Sequence, residues 1–400
     1  MEPAPLTSPH KFHIPVMGTG FSVDAPLKVA RYGISSVVSI IDDELAEQMR
    51  EVHSRKHDLG FVAISDDAED KRARRITAYL NLLNDLVAKQ VAELQNSAFE
   101  PDSEITKYFR MLPDSALKDR YREMLGRSAP EERLQLQERL RAQAVPGSIN
   151  VNIMTKVDRD HYDENHNKLA PEFSDALAAL RGFANSALRS SVVFSAGLNR
   201  RLYAYLTTFE DFFPDDCGEL RKKVILKVSD YRSAIIQGKY LARRGLWVSE
   251  YRIESGLNCG GHAFATEGHL LGPIMEEFAR KKSEMTVELH KTYNAALASL
   301  ERTPVEQPHG FRITVQGGIG NIEEQLLLFE RYGVDGVGWG TPFLLVPEVM
   351  NVDEAHLAKL AAATADDVHL SDHSPLGVPF WSLEASASEE TRLARIARNR

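Results

Sequence analysis

A glycine-rich stretch from Glu254 to His262 holds the residue of this sequence best suited to chemistry. It reads Glu-Ser-Gly-Leu-Asn-Cys-Gly-Gly-His and follows a run that is typical of a β-strand. Histidine titrates near neutral pH and suits general acid/base catalysis. His262 is therefore a candidate catalytic residue. The alternative is a loop histidine bonded to a neighbouring backbone group or to a carboxylate such as Glu254 or Glu267.

Two further glycine turns have the form of a phosphate-binding site. Val315-Gln-Gly-Gly-Ile-Gly-Asn-Ile-Glu-Glu is a strand that enters glycines and then opens a helix, with Asn321 as N-cap and Glu324 completing a capping box. A second turn, Gly336-Val-Gly-Trp-Gly-Thr-Pro-Phe, follows the next strand. Glycine amides and a helix N-terminus can approach a phosphate closely, although tight turns also need glycine for steric reasons. The candidate phosphate-binding residues are Gly317, Gly318, Gly340 and Thr341.

Eight short β-rich runs must position these residues, and helical stretches separate them. This alternation predicts parallel βαβ units. Eight strands suit a closed (β/α)8 TIM barrel, in which phosphate commonly binds after strands seven and eight. A doubly wound open sheet is the alternative, because polar residues interrupt the second and sixth runs. The runs are 12–18, 34–40, 149–154, 191–196, 224–228, 246–251, 311–315 and 334–338.

A helical segment separates the second and third runs. Residues 42–146 are rich in Leu, Ala, Glu, Arg and Lys at helical spacing, and the segment is far longer than an ordinary βα connection. We expect a barrel of residues 1–41 and 147–348, a helical insertion of residues 42–146 and a C-terminal helical extension of residues 349–400. The insertion is expected to be a lid or a homo-oligomer contact, with a solvated excursion without function as the alternative.

Composition narrows the class of function. A net charge of −9 spread over both signs does not favour nucleic acid, which needs a basic stripe, so a small-molecule substrate is expected. The sequence has no membrane-length apolar run and no secretory signal pattern, which predicts a cytoplasmic protein without membrane contact. Its two cysteines lack CxxC spacing, and the polar stretches 158–166 and 369–373 lack metal-loop spacing, so no metal is expected.

The order of these motifs resembles an FMN-dependent barrel family. That family contains nitronate monooxygenases (2-nitropropane dioxygenases) and flavin-type bacterial enoyl-acyl-carrier-protein reductases. Its members show Pro-Met at the end of strand one, Val-Asn in strand three, a Glu-Ala-Gly-Gly-His loop after strand six, Gly-Gly-Ile after strand seven and Gly-Thr-Arg-Phe after strand eight. The counterparts here are Pro15-Val-Met17-Gly18, Val151-Asn152, Asn258-Cys-Gly-Gly-His262, Gly317-Gly318-Ile319 and Gly340-Thr-Pro-Phe343.

The resemblance covers roughly residues 12–41 and 148–347 and implies an FMN-dependent oxidoreductase, monooxygenase-like or reductase-like. It implies that His262 is the general acid/base and that O2 or NAD(P)H is the co-substrate. Lys227, at the end of the fifth run, would stabilise negative charge on the reduced ring. The other implied cofactor-binding residues are Met17, Gly18, Asn152, Gly256, Gly260, Gly261, Gly317, Gly318, Gly340 and Thr341.

Three residues depart from the family pattern. Asn258 replaces its glutamate, Cys259 its alanine and Pro342 its arginine. Asparagine cannot act as a carboxylate base, so any role of that acid is lost. Cys259 is either a nucleophile or, as is commoner, a small packing residue. Two other functions stay open: a phosphate-binding barrel isomerase or lyase without flavin, and a non-catalytic flavin-binding interaction protein.

Overall fold

The computed structural model describes residues 8–195, 197–254, 271–317, 319–371, 380–384 and 386–398. Its strands form a closed eight-stranded barrel in sequence order, which confirms the predicted (β/α)8 TIM barrel over the doubly wound sheet. Each strand overlaps one of the eight predicted runs. The strands are β1 Phe12–Ile14, β2 Ser35–Ser39, β3 Ile149–Ile153, β4 Ser191–Phe194, β5 Lys223–Val228, β6 Val248–Glu254, β7 Arg312–Gln316 and β8 Gly336–Gly338.

Strand β6 differs most from its predicted run. It extends to Glu254, so this residue ends the strand instead of opening the following loop. Glu250, Arg252 and Glu254 alternate along β6 and therefore lie on one face. All three are buried. The predicted run ended at residue 251 because the apolar pattern ends before the strand does.

Helices occupy most of the chain between and after the strands. They are α1 Ala25–Val29, α2 Asp43–Lys56, α3 Lys71–Asn96, α4 Glu104–Met111, α5 Ala116–Gly126, α6 Pro130–Gln143, α7 Asp175–Ala184, α8 Arg200–Tyr205, α9 Tyr231–Ala242, α10 Leu271–Ser299, α11 Ile322–Tyr332, α12 Thr341–Leu344, α13 Glu354–Ala362 and α14 Ala387–Arg398. A two-stranded antiparallel sheet, β9 Val368–Ser371 with β10 Phe380–Leu383, interrupts the predicted C-terminal helical extension. None of the described helices has the length and apolar content needed to cross a bilayer.

The chain forms two compact units, and the first comprises residues 1–152 and 159–191. Helices α2 to α6 lie in this unit, in the segment that the sequence predicted to be helical. The long helix α3 packs against α2 and α7 through a buried apolar stripe. A second apolar cluster includes Ile105, Phe109 and Met124. The segment therefore has its own hydrophobic packing, and its role as a lid or oligomer contact stays a prediction.

A buried carboxylate joins parts of the first unit. Asp175, at the start of α7, accepts hydrogen bonds from Arg159 at 2.9 Å and from His161 at 2.7 Å. Arg72 of α3 lies 3.3 Å from the same carboxylate. Burial alone would raise the pKa of Asp175, but the hydrogen bonds from Arg159 and His161 and the Arg72 charge hold it below its ordinary value. Arg159 and His161 therefore have a structural role, because they pair with a buried carboxylate.

The second unit comprises residues 153–158 and 192–400. Helix α9 packs on β5 and β6, and α10 packs on α9. Gly238 of α9 has a steric reason to be glycine, because a Cβ there would clash with the Tyr251 hydroxyl. Tyr251 therefore points to the helices. Glu250 and Arg252, its neighbours along β6, point the opposite way, towards the barrel interior.

Candidate functional site

Three polar residues meet at the carboxyl ends of β5, β6 and β7. The Lys227 ammonium lies 3.0 Å from Glu254 Oε1. Gln316 donates its Nε2 hydrogen to the same oxygen at 3.0 Å, and Glu254 and Gln316 are register partners in neighbouring strands. Only 4% of Glu254 is exposed. Barrel enzymes place their catalytic groups at these strand ends, so this cluster is the core of the candidate site.

The second carboxylate oxygen of Glu254 has an unmet hydrogen-bonding capacity. Glu254 Oε2 is buried and accepts no hydrogen bond from the part of the chain that the structure describes. Leaving a buried acceptor unpaired costs free energy, more so for a charged group. The cluster therefore offers two donors held in place and one free acceptor, which suits a polar ligand that carries both kinds of group.

A hydrogen-bonded layer lies deeper along the same strands. Arg252 donates to Glu250 Oε1 from Nε at 2.9 Å and from Nη2 at 2.7 Å. Thr314 of β7 donates its hydroxyl to that oxygen at 2.6 Å. These three residues are buried. The Thr314 hydrogen bond links β6 to β7, and the paired charges of β6 form a polar layer beneath the Lys227 cluster.

Breaking the Lys227 pair should destabilise the fold. In Lys227→Met the buried Glu254 carboxylate loses its compensating charge, and we expect the free energy of unfolding to fall by about 3 kcal/mol. Glu254→Gln, the matched control, removes the charge itself and should cost less. Urea unfolding of both variants and of the double variant measures this. A double variant less stable than Lys227→Met would contradict the pairing.

The first glycine turn has the geometry that a phosphate site needs. Gly317 follows β7 directly with φ +85°, a left-handed conformation that favours glycine. Asn321 caps α11 by accepting a hydrogen bond from the Glu324 amide at 2.9 Å, as predicted. Gly333 ends the helix with φ +62°. The N-terminus of α11 thus opens next to the turn, where its dipole favours an anion.

The second turn is joined to the first by an indole. Trp339, between β8 and Gly340, donates its Nε1 hydrogen to Gln325 Oε1 of α11 at 2.7 Å. Gly340 precedes the short helix α12, which begins at Thr341. This hydrogen bond links the turn after β8 to the helix that follows the first glycine turn. Neither Trp339 nor Gln325 was among the predicted site residues.

Glu324 departs from the predicted capping box. Its carboxylate accepts from the amide of Gly320 at 2.6 Å, one residue before the N-cap amide that a capping box uses. A carboxylate thus lies at the turn where a phosphate is expected, and the two negative charges would repel.

Removing the Glu324 charge should improve phosphate binding. In Glu324→Gln the amide keeps a hydrogen-bond acceptor for Gly320, but the repulsion disappears. Because the side chain is exposed and screened by salt, we expect FMN, the cofactor that the family resemblance implies, to bind only about 3- to 10-fold more tightly. Fluorescence titration with FMN at low and high salt measures the change. Glu330→Gln, on the same helix but at its other end, is the control and should bind FMN as the parent does.

Three implied flavin contacts lie in the first unit. The Met17 amide donates to Ser22 Oγ at 3.2 Å, and that hydroxyl donates to the Gly18 carbonyl at 3.2 Å. Gly18 has φ +96°. Asn152 is buried in β3. Ser22 thus orders the loop after β1 and occupies the Met17 amide, which the resemblance had assigned to the cofactor.

Several implied residues lie outside the described residues. They include the candidate catalytic residue His262 and the departures Asn258 and Cys259, and the side chain of Thr341 also lies outside the described part. The others are Gly256, Gly260, Gly261 and Gly318. Their roles stay predictions.

The charged residues after β3 are engaged within the chain. Asp158 pairs with Arg201 at 2.6 Å and accepts from Asn199 at 3.1 Å. Asp160 pairs with Lys168 at 2.6 Å. Among the described residues, no group of three or more His, Cys, Asp or Glu side chains could hold a metal ion. These charges therefore order the loop after β3.

Comparisons with known proteins do not identify a family for this chain. No family model matches the chain, and no curated protein matches its sequence. Among solved structures it is similar to nitroalkane oxidase from Streptomyces ansochromogenes, with 14% sequence identity and a TM-score of 0.33 over 64% of this chain and 67% of that one. A similarity of this level carries no argument about activity.

Proposed function

We propose that this protein is an FMN-dependent oxidoreductase, monooxygenase-like or reductase-like, that acts on a small molecule with His262 as general acid/base. The Lys227, Glu254 and Gln316 cluster is the observation that supports this function best. It consists of two donors and one unpaired, buried acceptor at the carboxyl ends of three barrel strands. The motifs of the FMN-dependent barrel family occur in this sequence in the same order, and for this reason we interpret the cluster as part of a flavin site.

The donor set fits the polar edge of a flavin ring. That edge presents carbonyl oxygens and a ring nitrogen as acceptors and one N–H as donor. Glu254 Oε2 would accept from the N–H, and Lys227 would stabilise negative charge that develops on the ring. FMN, when bound, supplies the two-electron chemistry, and the protein binds it, orients it and moves protons.

The glycine turns fit the phosphate of FMN. The left-handed Gly317 leaves room for close backbone approach, and the Asn321-capped N-terminus of α11 favours an anion. The hydrogen bond from Trp339 to Gln325 keeps the turn after β8 beside this helix. Glu324 is the unfavourable feature, and its carboxylate would weaken the binding of a phosphate dianion.

His262 would move the proton that accompanies electron transfer. In a monooxygenase-like reaction it would remove an acidic proton from the carbon of a donor substrate, and O2 would be the electron acceptor. In a reductase-like reaction NAD(P)H would be the electron donor, and His262 would protonate the product carbon. Both versions suit a histidine, because imidazole can both accept and donate a proton near neutral pH.

Anaerobic reduction of the FMN-loaded protein tests the oxidoreductase assignment. A nitroalkane-type donor and NAD(P)H are added separately, and bleaching of the flavin absorbance is followed. We expect one of these two compounds to reduce the flavin on the timescale of catalytic turnover. Reduction by the nitroalkane-type donor would indicate the monooxygenase-like version, and reduction by NAD(P)H the reductase-like version. Tightly bound FMN that neither donor reduces would contradict the proposal and favour a non-catalytic flavin-binding protein.

A further inference from the structure

A groove beside α9 and α10 lies away from the candidate functional site. Arg243 and Arg244, which line it, follow the last turn of α9 and come shortly before β6 begins. Because each helix of a (β/α)8 barrel returns the chain to the amino end of the next strand, these residues lie at the opposite end of the barrel from the Lys227 cluster. The groove has a volume of about 1040 Å³, which is enough for a small molecule.

Four cationic side chains line this groove. They belong to Arg243, Arg244, Lys291 and Arg302. Within the described residues, the side chains of Arg243 and Lys291 form no hydrogen bond and no ion pair. Arg244 donates from Nη1 to the Tyr240 carbonyl at 2.9 Å, and its guanidinium stacks on the Tyr240 ring. In the part of the chain that the structure describes, therefore, no carboxylate neutralises these three cations.

The carboxylates at the groove are already paired with other cations. Glu288 lines the groove and pairs with Lys239 at 2.5 Å. Glu210 pairs with Arg302 at 2.7 Å. The groove thus keeps an excess of positive charge in a chain whose net charge is −9. Cations that line one groove repel one another, and a bound anion would relieve this repulsion.

Helix position explains only some of these cations. Arg243 and Arg244 lie at the carboxyl end of α9, where the helix dipole stabilises positive charge. Lys291 lies about two turns before the end of α10, which is too far for this effect. It shares one side of α10 with Glu288 and Thr292, which also line the groove. The position of Lys291 therefore points to a ligand in the groove.

We propose that this groove binds the oligophosphate chain of a small molecule. An oligophosphate carries several negative charges on one compact chain, so it can contact cations that belong to different helices. Guanidinium groups form parallel hydrogen bonds to phosphate oxygens, and an ammonium adds a point charge. Leu300 lines the groove and is 49% exposed, so it offers an apolar contact to an organic group attached to the chain. This site does not depend on the proposed flavin chemistry.

Isothermal titration calorimetry with inorganic tripolyphosphate tests this site. We expect the parent protein to bind it and Arg243→Gln/Lys291→Gln to bind it about 10-fold more weakly or worse, because two of the unneutralised charges are lost. Arg232→Gln/Arg280→Gln is the matched control, because it removes one exposed arginine from α9 and one from α10 outside the groove. The control should bind as the parent does. A parent protein without measurable binding, or equal weakening in both double variants, would overturn the proposal.

Two further titrations separate the groove from the glycine turns and from general anion binding. Gly317→Val changes the proposed phosphate turn after β7 and should leave tripolyphosphate binding unchanged. Loss of binding in this variant, with retention in Arg243→Gln/Lys291→Gln, would place the anion at the turn instead. Citrate, a compact tricarboxylate, should bind the parent about 10-fold more weakly than tripolyphosphate, and equal affinity would contradict an oligophosphate site.

Titration with ATP distinguishes the two sources of an oligophosphate chain. Binding of ATP that is tighter than that of tripolyphosphate would support a ligand with an attached organic group in contact with Leu300. Equal affinity for both would support recognition of the chain alone. Binding of tripolyphosphate together with exclusion of ATP would contradict a site for a small molecule that carries the chain.

Discussion

His262→Ala should lower turnover of the FMN-loaded protein by about 10²- to 10⁴-fold, the range that general acid/base catalysis contributes. FMN affinity should stay close to that of the parent, because the proposed cofactor contacts do not include the His262 imidazole. The loss should appear in kcat under conditions where proton transfer limits the rate. Steady-state kinetics together with FMN titration separates the two quantities.

A histidine of helix α13 provides the control. His356 lies in α13 and pairs with Asp353 at 2.8 Å. His356→Ala should leave both turnover and FMN affinity unchanged. If His262→Ala retained full turnover, the assignment of the general acid/base would be wrong, whatever the result for FMN binding.

Gly317→Val should abolish FMN binding, with Kd raised by about 100-fold or more. The φ of +85° at Gly317 is strained for a β-branched residue, at a cost on the order of 1–3 kcal/mol. The added side chain would also stand where the phosphate must approach the backbone. Flavin fluorescence titration measures Kd, and thermal unfolding followed by circular dichroism checks that the barrel remains folded.

Gly310→Val is the matched substitution. Gly310 precedes β7, has no positive φ, and a Cβ there would meet no atom within 4 Å. We expect this variant to bind FMN as the parent does. Unchanged FMN binding in a folded Gly317→Val variant would mean that the phosphate does not bind at the turn after β7.

The strands were predictable because a closed barrel buries both faces of most of them. Their short apolar runs between helical stretches are what parallel strands produce. Strand β6 shows where the pattern weakens. Its alternating Glu250, Arg252 and Glu254 face a polar interior, so hydrophobicity ends before the hydrogen-bonded strand does.

The site was only partly predictable because its contacts depend on register. Lys227 stood out as a cation at a strand end, and Gly317 stood out by its sequence context. The bond between Gln316 and Glu254 joins residues 62 positions apart and exists because β6 and β7 pair in one register. The shift of the Glu324 carboxylate to the Gly320 amide depends on local backbone geometry, which residue spacing does not specify.

The absorbance spectrum of the purified protein, with any released cofactor identified by mass, tests the central claim most directly. We predict flavin bands in the visible region and release of FMN, either from the protein as purified or after incubation with FMN. A folded protein that shows no flavin in either state would contradict the account. The glycine turns would then be better explained as the phosphate site of a barrel isomerase or lyase that needs no flavin.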